Sequence, residues 1–346
     1  MDFIPATCDK YVVKDIPSLK DLLMKGKDAK MGHEGGEWSA CTHLKNYGMN
    51  FAAFFARHLA YGIKPKSVLE FGCGLGTTSD FLARFVPGGS KVVCVEPEAT
   101  VIKELFGEGG SNDTSKHFPN RPVQLSMLSF SFEAKECADA IYNPQMGFEL
   151  VLSLEVAEHI PAEFQEEFIQ RLATATTKYL VFAAARPGQG GTGHITDSMH
   201  TREWWIEKFT NADRGSNAGK LKLLPQLSRG IRYVTGWDRA YDFGTNLVAF
   251  GAPGVEDISQ IPQIADDCSF LGRPKQKDLY GDDADRKYAK EHGMPEFLNI
   301  ERPCEKNGQI EDRNEKRAQL LIGQAQALWP ELDLLIRQVN AGEFQC

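Results

Sequence analysis

From about residue 42 onward, apolar residues fall into runs of strand length that alternate with stretches of helical spacing. Leu44, Tyr47, Phe51, Phe55 and His58 recur at helical intervals, which predicts an amphipathic helix. Val68, Leu69 and Phe71 make a short strand that runs into a glycine turn. The helix expected next carries Phe81, Leu82 and Phe85 on one side, with Thr77 or Thr78 as its cap. Residues 92–95 form a second strand, 99–106 a helix, and 107–115 a polar, glycine-rich loop. Further strands are expected at 123–128, 148–153 and 179–183. A helix over 162–175 presents Phe164, Phe168, Ile169 and Leu172 on one face, and 245–250 reads as the last strand. Such alternation predicts an α/β fold in which helices cover both faces of a parallel sheet.

The two ends read differently. Gly32, Gly35 and Gly36 interrupt any helix in residues 1–41, which are expected to form an irregular N-terminal arm ahead of a main domain over 42–253. In the C-terminal extension, 254–346, residues 255–312 are rich in Asp, Lys, Pro and Gly and lack periodicity. Leu321, Ala325, Leu328, Leu332, Leu335, Ile336 and Val339 then keep helical spacing, with Pro330 starting a second helix. That stripe packs on its own domain or, in a second reading, forms a homodimer contact.

Composition narrows the function. A chain of 346 residues, 42% apolar, can bury one large core or a core with an appendage. Its net charge of −8 and the absence of any dense Lys/Arg run argue against nucleic acid as a partner. Eight cysteines are scattered without a C-x-x-C pair, and nothing at Met1 reads as a signal sequence. They are therefore expected to be reduced thiols of a cytoplasmic protein. No apolar run approaches the ~20 residues of a membrane span.

Chemistry concentrates at three places. The first is Glu70-Phe-Gly72-Cys73-Gly74-Leu-Gly76, whose glycines run G-x-G-x-G, not the G-x-G-x-x-G of a dinucleotide site, so a nicotinamide dehydrogenase is disfavoured. A carboxylate beside the turn suits a cationic ligand. Glu96, twenty residues after Gly76, stands at the tip of the second strand, where it can accept hydrogen bonds from both ribose hydroxyls. The second place is Ser153-Leu-Glu155-Val-Ala-Glu158-His159, at the end of the fourth strand. Three readings stand there. Glu155 touches ligand while Glu158 and His159 brace the turn; or His159 or Glu155 is a general base; or Glu155, Glu158 and His159 bind a divalent metal together with a later histidine. The third is the glycine-dense loop 188–199 with His194, followed by His200 and by Trp204 and Trp205 at a helix start, one for the core and one to wall an acceptor pocket.

The glycine turn with its spaced acid resembles class I S-adenosylmethionine-dependent methyltransferases. The E-x-x-E-H stretch resembles small-molecule members such as the ubiquinone-pathway O-methyltransferases, and Gly193-His194-Ile195 resembles their G-H-[IV]-N pattern, with Thr196 in place of Asn. The resemblance implies a Rossmann-like, doubly wound, seven-stranded, mostly parallel sheet whose last strand enters antiparallel. It implies S-adenosylmethionine held by Glu70, Gly72, Cys73, Gly74, Gly76, Glu96 and Ser153. The acid often found at the end of the third strand is missing, so Ser126 or Met127 is expected to cover the adenine. His194, His159 and Glu155 become the catalytic candidates, and Tyr47, Phe51, Trp204 and Trp205 the acceptor contacts. The expected activity is methyl transfer to an O, N or S atom of a small molecule, without a metal. One alternative is metal-assisted methylation of an RNA 2′-hydroxyl through Glu155, Glu158, His159 and His194, as the same spacing binds metal in methyltransferases of small RNA. The other is a non-catalytic cofactor-binding scaffold.

Overall fold

The structure is a computed structural model. It describes residues 4–11, 49–96 except 75, 125–129, 135–189 except 144, 193–228 except 216 and 217, 231, 247–257, 305–306 and 309–310. Tyr47, the expected helix over 99–106 and the C-terminal helical stripe lie outside them, as does the side chain of Phe51. The chain divides into two compact units, Met1–Phe148 with Gly191–Gly193 and Gln324–Cys346, and Glu149–Gly190 with His194–Gly323.

In the first unit, a 3-10 helix (Ala6–Tyr11) is followed by α1 (Met49–Ile63), β1 (Ser67–Phe71), α2 (Thr77–Phe85), β2 (Lys91–Glu96), β3 (Leu125–Ser129) and α3 (Lys135–Ile141). The strands lie in the order β3-β2-β1 and pair in parallel, with Leu69 opposite Val93 and Val93 opposite Ser126. Val68, Leu69, Val92, Val93 and Val95 are all inaccessible to solvent, as strands covered on both faces should be. Phe55 and Leu59 of α1 and Phe81 and Leu82 of α2 are equally buried, and the two helices pack together. His58, on the same stripe of α1, is buried with them.

Two expectations fail in this unit. Neither threonine caps α2: Gly76, in the left-handed region at φ 71°, is the N-cap without a side-chain bond, and Thr77 and Thr78 are buried in the helix. The turn needs a positive φ at this position, which glycine supplies without a Cβ clash. Nor are the cysteines all reduced, because Cys8 is bonded to Cys137 and Cys73 to Cys94, with Cα separations of 4.8 and 5.8 Å. Pairs so far apart in sequence meet only when the fold brings the 3-10 helix to α3 and the glycine turn to β2.

The second unit takes most of β4 (Phe148–Leu154), then a 3-10 turn (Ala157–His159), α4 (Ala162–Ala175), β5 (Thr176–Ala183), a second 3-10 turn (Thr196–Ser198), α5 (Arg202–Asn211), β6 (Lys222–Leu223) and β7 (Val248–Gly251). The order is β4-β5-β7-β6, with β7 antiparallel to both β5 and β6. Phe182 of β5 meets Trp205 and Phe209 of α5, each at a ring-centroid distance of 4.9 Å. The inward stripe of α4 is Gln165, Phe168, Ile169 and Leu172, spaced i, i+3, i+4 and i+7. Phe164 falls off that stripe and is 46% exposed, contrary to expectation, because Gln165 takes the inward direction in the first turn. Arg214, buried after α5, donates to the carbonyls of Ala173 (2.8 Å), Thr176, Ala218 (2.9 Å) and Gly219 (3.0 Å).

A short hairpin pairs β8 (Glu305–Lys306) with β9 (Gln309–Ile310). The fold is thus α/β, with parallel pairing in one unit and antiparallel pairing at the last strands of the other. Among the described residues no helix is long and apolar enough to cross a membrane.

Candidate active site

The turn between β1 and α2 is built on three glycines with positive φ: Gly72 at 74°, Gly74 at 53° and Gly76 at 71°. A side chain at any of them would be strained, so the backbone can fold back over the end of the sheet. The N–H groups of Gly72 and Cys73 donate to Val95 at the tip of β2, at 2.7 and 3.3 Å, and the Cys73–Cys94 disulfide fastens the same segment. Gly74 N–H donates to the Glu96 carboxylate at 2.7 Å. Glu96 is therefore a loop anchor as well as the acid expected at the second strand tip. Ser126, on β3, is half-buried, while the side chain of Met127 is not described.

Glu70 has a partner within its own unit. It is buried, and Ser79 Oγ in α2 donates to its carboxylate. Burial pushes its pKa up to about 7, and the charge of Glu96 adds a little, against the lowering effect of the Ser79 hydrogen bonds. A cation placed beside it would draw it back to the ionised form. Ser79 carries no signal in the sequence beyond its place one turn into a helix that follows the glycines.

In the second unit, β4 ends at Leu154 and the chain reverses at Glu155, a non-glycine residue held at φ 54°. Strain of this kind persists where the surrounding structure fixes a side chain's position. Its N–H donates to Ala183 at the end of β5, at 2.9 Å, and its carboxylate accepts from the Gln189 side chain at 3.3 Å. Ser153, one residue before the end of β4, is inaccessible, and its hydroxyl has no hydrogen-bond partner among the described residues.

The 3-10 turn that follows gathers the histidines. Ile195 N–H donates to the Glu158 carbonyl at 3.0 Å, and the rings of His159 and His194 meet edge to face at 5.1 Å. His194 Nε2 lies 3.9 Å from Glu158 Oε1, and its Nδ1 lies 3.3 Å from the Gln189 carbonyl. One ligand atom each from Glu158, His159 and His194 falls within 4.8 Å of the others. Glu158 is inaccessible, and neither of its carboxylate oxygens makes a well-formed hydrogen bond among the described residues. Burial holds its pKa well above the usual carboxylate range, and the Glu155 charge adds to that; the amides of Glu158 and Ala185 oppose it in part. A buried carboxyl of this kind beside two imidazoles calls for a proton or a cation.

His200 has a bracing place: its Nε2 is 2.9 Å from Gln165 Oε1, and its ring stacks on Trp204 at 3.7 Å. Gln165 in turn donates to the carbonyls of Ala157 and Ser198, joining the two 3-10 turns. Trp205 is core, 2% exposed, whereas Trp204 is half-buried with Lys208 above its ring. The sequence reading missed Gln165 and Gln189. Only the turn signal Pro187-Gly188 pointed toward the second.

Residues 45–216 match the family model described as a methyltransferase domain. No curated protein matches the sequence. Similar solved structures include magnesium protoporphyrin IX methyltransferase from Synechocystis PCC 6803 with bound S-adenosylmethionine, 15% identical, with a TM-score of 0.36 over 60% of this chain and 81% of that one. Another is a S-adenosylmethionine-dependent methyltransferase from Aquifex aeolicus, 12% identical, with a TM-score of 0.38 over 61% of this chain and 97% of that one. Residues 45–216 thus carry the pattern of a methyltransferase domain.

Proposed function

We propose that this enzyme methylates an O, N or S atom of a small-molecule acceptor, with the glycine turn and Glu96 holding the cofactor and His194 receiving the acceptor's proton. The observation that carries the reading is the β1–α2 turn, three positive-φ glycines with an acidic strand tip bonded to the middle one. Bound S-adenosylmethionine supplies an electrophilic methyl group, so the protein's tasks are alignment, exclusion of water and, for a hydroxyl acceptor, removal of a proton. Glu70 suits the cationic part of the cofactor, since its proton leaves readily near neutral pH when a positive charge approaches. Ser126 and Met127 are assigned to the adenine side and Ser153 to the cofactor. Trp204, with Tyr47 and Phe51, is assigned to the acceptor.

The reading carries with it a single seven-stranded, doubly wound sheet, a catalytic domain over 42–253 and a C-terminal extension that serves the domain or a homodimer. It also carries a cytoplasmic setting, against which the two disulfides weigh. Calorimetric titration with S-adenosylmethionine is the test: saturable binding by the intact chain, lost in Glu96→Ala, supports the assignment. A folded chain that does not bind refutes it and leaves the scaffold alternative.

A second reading is favoured by one observation, the buried Glu158 carboxyl clustered with His159 and His194. One carboxylate and two imidazoles suit a borderline divalent cation, which would take the place of the proton on the buried Glu158 carboxyl and could lower the pKa of an acceptor hydroxyl. Here Glu158, His159 and His194 are ligands and the acceptor is a hydroxyl, an RNA 2′-hydroxyl included. Co²⁺ binding with visible absorption, abolished in the His159→Ala/His194→Ala double variant, would establish it; the absence of such binding would return His194 to the role of base.

A further inference from the structure

We propose that Gln189 is a positioning residue, which fixes the ring nitrogen of His194 that faces Glu158 and ties Glu155 to the same turn; this rests on the reading that His194 serves the reaction. Residues Arg186-Pro187-Gly188-Gln189 make a tight turn after β5, with Gly188 at φ 85° and Gln189 N–H donating to the Arg186 carbonyl at 2.9 Å. Proline followed by glycine at positive φ is the chemistry of a type II turn.

Every polar group of Gln189 is then used. Its side-chain oxygen accepts from Arg186 N–H at 3.1 Å, which closes the side chain on its own turn. That bond settles the orientation of the amide, because the Arg186 N–H only donates. The side-chain nitrogen consequently faces Glu155 and donates to its carboxylate at 3.3 Å. The backbone carbonyl faces His194 Nδ1 at 3.3 Å. A carbonyl carries no proton, so the bond requires the proton on Nδ1, and the neutral ring presents Nε2 as a bare acceptor. That atom is the one 3.9 Å from Glu158. The histidine's role as base or as ligand depends on the same lone pair in either case.

Glutamine suits this place because its tip holds an acceptor and a donor on one planar group. An ionised glutamate there would put a second carboxylate against Glu155, and alanine would leave both Arg186 N–H and Glu155 without the bonds they make to it. Either change releases the turn from Glu155 and lets the carbonyl drift from the imidazole.

The test is nitrogen NMR of the full chain with labelled histidine, the His194 ring identified by its loss in His194→Asn. In the unsubstituted protein the Nδ1–H tautomer dominates. In Gln189→Ala and Gln189→Glu the ratio of Nδ1–H to Nε2–H falls about fivefold, the contribution of one ordinary hydrogen bond. Cofactor affinity, read by calorimetry in the same samples, stays within about twofold, which shows that the fold is intact. An unchanged tautomer ratio in both variants overturns the inference. Failure of the proposed function itself would appear elsewhere, as no cofactor binding by the unsubstituted chain, and would leave the tautomer measurement readable.

Discussion

Gly74 N–H donates to the Glu96 carboxylate at 2.7 Å, across 22 positions of sequence, so one acid both shapes the glycine turn and marks the tip of β2. Two substitutions separate these tasks. Glu96→Gln keeps an oxygen for Gly74 but loses the charge, whereas Glu96→Ala loses both. Hydrogen bonds to charged groups contribute roughly 1.5–3 kcal/mol. The dissociation constant for S-adenosylmethionine should therefore rise about tenfold in Glu96→Gln and about a hundredfold in Glu96→Ala, and only the second should lower the thermal midpoint of the cofactor-free protein.

Glu70 makes stability depend on pH. Its folded pKa of about 7 lies above its ordinary 4.5, so the folded state holds a proton that the unfolded state releases. Its stabilising contribution is complete below pH 4.5 and is lost as pH rises to about 7. A shift of this size corresponds to about 3 kcal/mol. Chemical denaturation at pH 5 and pH 8 should show stability falling with pH, and Glu70→Gln should remove its share of that slope while leaving the share of the buried Glu158 carboxyl.

At Glu155 the backbone is strained, with φ 54°. Glu155→Ala loses the bond to Gln189 and keeps the strain; Glu155→Gly loses the same bond and relieves it. The glycine variant should be the more stable of the two by roughly 1 kcal/mol. Paired urea titrations would check the order, and equal stabilities would mean that the strain is absent.

Arg214 ties the end of α4 and the start of β5 to the carbonyls of Ala218 and Gly219. Arg214→Ala leaves the carbonyls of Ala173, Thr176, Ala218 and Gly219 without this donor and should destabilise the protein on the order of 3 kcal/mol. Arg214→Lys should recover less than half of the loss, since one ammonium cannot reproduce the forked guanidinium. Thermal unfolding of the three proteins is the check.

These residues also show what a sequence makes legible. Periodicity located α4 at 162–175, where the structure has Ala162–Ala175, and found β1, β2 and β4 within a residue or two, because long or strongly apolar elements carry their own signal. It missed α3, whose seven residues span two turns, and β6, which has two. The glycine turn was readable since positive φ limits the residue type. Gln189 was not, because its role comes from a turn that folds its amide onto Glu155 and its carbonyl onto His194. The disulfides were invisible for a similar reason: the spacings in the chain say nothing of which strand tip lies beside which turn.

The Cys73–Cys94 bond closes a covalent ring around α2 and the exposed Pro87-Gly88-Gly89 turn, where Ser90 N–H meets the Pro87 carbonyl at 3.0 Å and open space surrounds both glycines. A protease that cut the backbone there would leave the pieces joined through sulfur, invisible on a gel until reductant is added. The same turn is where a fluorophore, an affinity tag or the new ends of a circular permutant could be placed with the cofactor turn still anchored.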